Sequence, residues 1–247
     1  MTPEARSFPL LGTPLLATTY DELIARCHEL ARAGGTYAID FTNTHIVTLR
    51  RHEAEFRELT NGVDYFVPDG MPLIWCLNRR GAELRDRVYG PTFMRRCLEA
   101  SGPPWKHYFL GGSAACLEKL RARFSQDEVV GVRHGYFPPN EEAEIVAEIN
   151  RLDPDFIWIG LGTPKQQEWI HHQKTSIRRG VLLAVGFAFD VNAGMKKDAP
   201  AWMQRLGLTW VFRIFSEPRR LFSRYLRYNS LFLYYLAHDA FRPPRSR

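Results

Sequence analysis

Along this chain, short apolar runs end in polar or glycine-rich residues, and segments of helical periodicity follow them. No other feature constrains the fold as strongly. Thr36 to Phe41 ends in Thr42-Asn43-Thr44, Tyr65 to Val67 in Pro68-Asp69-Gly70, and His107 to Leu110 in Gly111-Gly112-Ser113. Val129 to Val132 leads to His134-Gly135-Tyr136-Phe137. Phe156 to Ile159 leads to Gly160-Leu161-Gly162-Thr163-Pro164-Lys165-Gln166, and Gly180 to Val185 to Gly186-Phe187-Ala188-Phe189-Asp190. Strands alternating with helices predict an α/β fold: a mainly parallel sheet, right-handed crossovers and helices on both faces. Loops that follow parallel strands open at one edge of the sheet, so these polar residues are expected to converge there.

The helices announce their own ends. Thr19-Tyr20-Asp21-Glu22 reads as a capping box, Leu23, Ile24, Cys27, Leu30 and Ala31 recur at helical spacing, and Gly34-Gly35 stop the helix. Further helices are expected over His45 to Leu59, from Gly90-Pro91 onward, from Ser113 through Phe124, and over Glu141 to Leu152. Met71 to Leu77 is a mostly apolar segment after the Asp69 turn. From Ala201 the composition changes. Trp202, Trp210, Phe215, Phe222 and Tyr225 interleave with Arg213, Arg219, Arg220, Arg224 and Arg227, and a helix starts at Ser216-Glu217-Pro218. The expected division is an α/β domain over residues 1–200 and a helical, membrane-associating appendage over 201–247. The first part has enough strands and helices to fold around its own sheet.

Charge and cysteine usage limit the function classes. The formal net charge is +6 and the pI is about 9.2, which points to a negatively charged partner. The 4 cysteines are scattered without a CxxC pair, which argues against zinc fingers and disulfide scaffolds and fits a reducing cytosol. The apolar run near the N-terminus is broken by Gly12 and Pro14, which makes a poor signal peptide. No apolar run reaches the ~20 residues needed to span a bilayer.

The residues at the strand ends suggest specific chemistry. Asp69 is a carboxylate just beyond a strand, although Asp-Gly pairs also simply make turns. Gly111-Gly112-Ser113 lets backbone amides approach a phosphate at a helix N-terminus, or makes only a tight turn. Gly162, Lys165 and Gln166 lie at a helix start, where a cation suits a diphosphate and an amide suits a sugar or a base edge. His134 orients a phosphate or is a satisfied turn histidine. Asp153-Pro154-Asp155 resembles a DxD metal motif but precedes its strand, at the wrong edge of the sheet. His171 and His172 are adjacent on a helix and cannot both face one metal.

Taken in order, Pro68-Asp69-Gly70, Arg87-x-x-Gly90, Leu110-Gly111-Gly112, His134-Gly135-Tyr136-Phe137, Gly160-x-Gly162-x-Pro164-Lys165-Gln166, Phe189-Asp190-x-x-Ala193-Gly194, Ala199-Pro200-x-Trp202, Trp210-x-x-Arg213 and Glu217-Pro218-Arg219-Arg220-Leu221 form an ordered set. This set resembles the WecG/TagA/CpsF glycosyltransferases, glycosyltransferase family 26, from about Thr19 to Tyr235. The resemblance implies a Rossmann-like fold and an inverting, metal-independent transfer from a UDP-sugar, with no cofactor. The implied acceptor is a sugar on undecaprenyl diphosphate at the cytoplasmic face of the membrane, so the enzyme would be a peripheral one serving cell-surface polysaccharide assembly. It implies Asp69 as the catalytic base. Thr42, Asn43, Arg87, Gly111, Gly112, His134, Gly162, Lys165, Gln166 and Asp190 would line the substrate site. Arg213, Arg220 and Arg224 would belong to an appendage that closes over the site and meets an anionic membrane surface. Thr92 and Gln167 stand where the family often has carboxylates, so the donor stays open between an N-acetylmannosamine type and a hexose such as glucose.

Two other classes compete with this reading. A nucleic-acid-binding module would suit the pI and the arginine-aromatic tail, but the basic residues gather in the tail while the polar loops converge at the sheet edge. No nucleic-acid partner is therefore expected. A dinucleotide-dependent oxidoreductase would need a complete GxGxxG fingerprint, which is absent. The oligomeric state stays open, a homo-oligomer included.

Overall fold

The apolar runs form strands in the computed structural model, which describes residues 6–100, 104–124 and 128–241. They are β3 (Thr36–Thr42), β4 (Tyr65–Pro68), β5 (His107–Gly111), β6 (Val129–Arg133), β7 (Phe156–Gly160) and β8 (Gly180–Ala184). Two strands that the sequence reading does not anticipate precede them, β1 (Ser7–Leu10) and β2 (Thr13–Leu16). The result is an eight-stranded sheet in the order β1-β2-β4-β3-β8-β7-β5-β6. All its neighbours pair in parallel except β1 with β2.

The β1–β2 hairpin turns through Leu11 and Gly12, both at positive φ (50° and 81°), which is the backbone of a tight primed turn. Leucine in that position conceals the turn from sequence inspection, and Pro9 and Pro14 argue against strands in general. Pro9 is tolerated because β1 is the edge strand, and Pro14 because β2 meets β4 in register only at Leu15.

Helices flank the sheet: α1 (Tyr20–Ala33), α2 (Thr44–His52), α3 (Ala54–Leu59), α4 (Met71–Asn78), α5 (Gly90–Glu99), α6 (Ala114–Arg123), α7 (Glu142–Leu152), α8 (Lys165–Gln173) and α9 (Ala188–Asn192). The capping box of α1 forms as expected, with Glu22 N donating to Thr19 Oγ1 and Thr19 N donating to Glu22 Oε2 at 2.8 Å. The expected helix over His45 to Leu59 is interrupted at Glu53, which has extended backbone (φ −116°, ψ 110°). Strand residues alternate between two cores. Ile39, Phe41, Phe109, Trp158 and Leu183 face α1, α5, α6 and α9, while Ala38, Tyr108, Ile157, Ile159 and Leu182 face α7 and α8. Strands buried on both faces explain why these runs read as continuously apolar.

The tail forms α10 (Ala201–Arg205), α11 (Thr209–Ser216) and α12 (Pro218–Ala240). It is helical, as expected, and it is also docked. Phe232 is buried in a cluster with Leu10, Leu15, Val47, Phe66 and Leu73, and Leu221 is fully buried. Thr44 Oγ1 donates to Asn229 Oδ1 at 3.2 Å, His52 meets the Tyr235 hydroxyl at 2.7 Å, and Arg51 pairs with Asp239 at 3.1 Å. These contacts lay α12 along α2, directly beside the carboxyl ends of β3 and β4. Among the described residues, no helix is long and apolar enough to cross a membrane.

Candidate active site

Adjacent strands β5 and β7 send their chains in opposite directions. From β5 the chain passes through α6 to β6, and from β7 through α8 to β8 on the other side. Such a divergence opens a crevice at the carboxyl ends of the strands. A cleft of about 540 Å³ lies there, lined by Asn43, His45, Asp69, Gly112, Ser113, Gly162, Gln166, Asp190, Lys196, Arg213, Arg224 and Tyr225. A smaller pocket of about 80 Å³ adjoins it, bounded by Gly70, Met71, Pro72, Arg87, Thr209 and Trp210. The two share Asn43, Asp69, Arg213 and Tyr225 in their walls. Asp69 therefore stands at the junction of a large cavity and a small one.

The position of Asp69 follows from its neighbours. β4 stops at Pro68, Asp69 N donates to Thr42 O at 2.8 Å, and one carboxylate oxygen accepts from Gly90 N at 3.2 Å. Burial raises the carboxyl pKa to about 7. The Arg87 cation, the Gly90 amide and the Arg213 cation each pull the other way, and Asp198 adds to the rise. A carboxylate poised near neutrality is matched to taking a proton from a hydroxyl.

The walls bring further functional groups together. Asn43 Oδ1 accepts from the amides of His45 and Ile46 and so caps α2 at the mouth of the cleft. His45 lies edge-on to Tyr228 at 4.4 Å, and burial together with Arg224 lowers its pKa to about 3, so the ring is neutral at pH 7. Gln166 is buried on the first turn of α8, and its Oε1 has no hydrogen-bond partner among the described residues. Arg213 lies over the Phe187 ring at 4.1 Å, and its Nε is likewise buried without a partner among the described residues. Buried polar atoms are nearly always paired, and of the five unpaired side-chain atoms among the described residues these two belong to residues that line the cleft. Lys196 bridges Asp190 at 2.9 Å and Glu217 at 2.8 Å, tying the loop after α9 to the start of α12.

The convergence of these groups, in the order the motifs run, agrees with a match of residues 8–246 to the Glycosyl transferase WecG/TagA/CpsF family. The chain belongs to that family. It is similar to proteins of Staphylococcus aureus strains MW2 and NCTC 8325 / PS 47. Each is 29% identical over 184 residues, which is 72% of this chain and 72% of the relative. Both are named N-acetylglucosaminyldiphosphoundecaprenol N-acetyl-beta-D-mannosaminyltransferase.

Of the residues singled out from the sequence, Asn43, Asp69, Gly112, Gly162, Gln166, Asp190, Arg213 and Arg224 line the family member's main cleft, and Arg87 joins them through the smaller pocket. The others are placed differently. Thr42 is fully buried and donates to Asp40 inside the sheet. Gly111 packs strands rather than facing the cleft: a Cβ there would come within 2.5 Å of the Gly160 backbone. Lys165 donates to Gly135 O at 2.9 Å and sits over the Phe137 ring at 4.5 Å, so it does not line the cleft. His134 accepts from Tyr136 N at 3.2 Å and lines an open outer groove of about 710 Å³ over α6 and β6, apart from the strand-end cleft. The side chain of Arg220 lies outside the described residues.

Asp153 and Asp155 both pair with Arg179 at the opposite edge, in keeping with a structural loop. His171 and His172 are adjacent on α8, as the sequence indicates. No three His, Cys, Asp or Glu residues among those described come together in a way that could hold a metal. The sequence reading missed His45, Lys196 and Tyr225. Two of them carry a usable signal: His45 lies two residues past Asn43 at the same strand end, and Tyr225 directly follows Arg224 in the tail.

Proposed function

We propose that this glycosyltransferase-family protein transfers a sugar from a UDP-sugar, with inversion and without a metal, to a sugar carried on undecaprenyl diphosphate. The observation that carries the proposal is Asp69, held at about neutral pKa where two pockets meet. In this reading the large cleft takes the UDP-sugar and the small pocket takes the acceptor hydroxyl. Asp69 accepts the hydroxyl proton as the oxygen attacks the anomeric carbon, and the UDP leaves from the opposite face. Charge on the departing diphosphate is met by Arg213 and Arg224 together with the Ser113 amide at the start of α6. Lys165 donates to the O of cleft-lining Gly135, so in this reading it supports the cleft wall beside the diphosphate.

The acceptor class comes from the names of the Staphylococcus aureus relatives, and the exposed aromatics of the tail support a membrane-surface site for it. Trp202, Trp210, Phe215 and Phe222 are exposed in the tail, and Trp75 of α4 stands beside the turn at Gly207. Apolar side chains with interspersed arginines suit an anionic membrane surface, here the cytoplasmic face. The donor is an N-acetylmannosamine-type or a glucose-type nucleotide sugar.

The test is a thermal-shift screen of UDP-sugars followed by transfer to a polyprenyl-diphosphate-linked sugar, with the anomeric configuration of the product read by NMR. A bound donor at about 100 times its Kd stabilises by ~2.7 kcal/mol, well within detection. Absence of any UDP-sugar effect, with salt-sensitive retention on a polyanion column, would favour the nucleic-acid reading instead.

A further inference from the structure

Behind Asp69 lies a buried polar chain that crosses from the α/β domain to the tail. Arg87 is 6% exposed, and its guanidinium donates to Asp69 O at 3.2 Å, to Thr209 Oγ1 at 3.1 Å and to Gln204 Oε1 at 3.4 Å. The other end of the Gln204 amide donates to Asp198 Oδ2 at 3.1 Å and to Ala199 O at 2.8 Å. Asp198 Oδ1 in turn accepts from the Tyr89 hydroxyl at 2.8 Å, and the Tyr89 ring lies under the Arg87 guanidinium at 4.2 Å. The ring of contacts closes on itself. Only a side chain that accepts at one end and donates at the other fits between a guanidinium and a carboxylate, and glutamine does both.

We infer that Gln204, with Thr209, is a positioning residue: it holds Arg87 against Asp69 and separates Asp198 from that cation. The inference rests on Asp69 being the base, and it adds a role for α10 and α11 that is neither anchor nor lid. Without Gln204, Arg87 is free to swing toward Asp198 and away from Asp69. The charged and titratable groups facing Asp69 are Arg87, Arg213, Asp198, Tyr89 and Tyr20. Of these, Arg87 is the largest influence favouring the ionised form. Loosening it raises the Asp69 pKa.

The experiment follows the Asp69 carboxyl carbon by NMR in protein labelled with ¹³C-aspartate, using Asp69→Asn to assign the signal. Gln204→Met keeps the volume and removes all three side-chain hydrogen bonds. It is expected to raise the Asp69 pKa by about one unit, which at pH 7 lowers the ionised fraction and the transfer rate roughly fivefold. Gln204→Glu places a carboxylate against Asp198 and is expected to shift the titration in the same direction. Adding Asp198→Asn restores complementary partners, and the titration should return toward wild type. An unchanged Asp69 titration in folded Gln204→Met, or a double variant no closer to wild type than Gln204→Glu, overturns the inference. Should Gln204→Met fail to fold, Thr209→Val and the double variant carry the same test. The NMR readout needs no substrate. Shifted titration in a protein that transfers no sugar would sink the proposed function and leave the positioning role standing.

Discussion

The raised pKa of Asp69 makes a prediction about stability that can be measured before any substrate is identified. An aspartate has a pKa of about 3.9 in an unfolded chain, and burial brings Asp69 to about 7 in the fold. The folded state therefore holds this proton more tightly than the unfolded state. Stability from the group is fully present below pH ~4 and is lost as pH rises through about 7. An asparagine side chain at this position would mimic the protonated form and can still accept from Gly90 N. Asp69→Asn should thus match wild type near pH 4.5 and become the more stable protein by pH 8. About three pKa units correspond to at most ~4 kcal/mol. Relaxation around the charge and water entering the cleft reduce that, and roughly 5–10 °C in Tm is expected for a chain of this size.

The assay is a pair of thermal melts across pH 4.5–8.5, with kcat/KM for sugar transfer measured over the same range. Wild-type kcat/KM should rise with pH through about 7 as the base ionises, and Asp69→Asn should lose roughly 10²–10⁴ in turnover while keeping donor affinity. A difference in Tm that stays flat with pH would refute the buried, proton-holding carboxyl. Wild-type turnover in the variant would remove Asp69 from the mechanism. Weakened donor binding with unchanged turnover would make it a binding residue instead.

Other parts of the site give shorter tests. Gln166→Met removes an unpaired buried acceptor, so Tm should hold or rise while UDP-sugar affinity falls about tenfold; unchanged affinity by calorimetry would take Gln166 out of the donor site. Gly111→Ala forces a Cβ against the Gly160 backbone, and a loss of roughly 2–3 kcal/mol is expected in urea melts; an unperturbed midpoint would mean the strand ends separate easily. Transfer should survive a chelator, because arginines are available for the diphosphate; activity lost to the chelator and restored by Mg²⁺ or Mn²⁺ would point to Asp190 as the first ligand to examine. Phe215→Glu with Phe222→Glu should abolish flotation with anionic vesicles while leaving transfer to a short, water-soluble acceptor intact; loss of both would tie these aromatics to the chemistry.

The parts of this protein readable from sequence are those where local chemistry and tertiary position agree. Strand-end residues of a parallel sheet must share an edge, so Asn43, Asp69, Gly112, Gly162, Gln166 and Asp190 could be gathered into one cleft from their order alone. What could not be read is the direction in which a side chain at that edge points. Thr42 and Asn43 are adjacent, yet the first is the last residue of β3 and bonds back to Asp40, while the second has left the strand to cap α2 at the cleft. Lys165 and Gln166 are adjacent on a helix, and the turn of α8 sends one to Gly135 O and the other inward. Gly111 and Gly112 divide in the same way between strand packing and cleft lining. The β1–β2 hairpin stayed hidden because its turn uses leucine at positive φ and its strands carry prolines.

The tail is the element whose role changes most between sequence and structure. Its aromatics and arginines suggest a surface attachment to a domain complete without it. In the fold, Phe232 covers Leu10, Leu15 and Phe66, and Leu221 is buried. Removing residues from Ala201 onward would therefore expose apolar surface on β1, β2 and α2 as well as delete an anchor. Burying a side chain such as Phe or Leu contributes about 1.5–3 kcal/mol, so this loss is comparable to the marginal stability of a domain. The same segment carries Gln204 and Thr209 to Arg87, Arg213 and Arg224 to the cleft, and Glu217 to Lys196. Scaffold, site and membrane face thus share one stretch of chain. Deleting the whole tail would confound all of these roles, whereas point changes on its exposed face keep Phe232 and Gln204 in place and isolate the membrane-facing role.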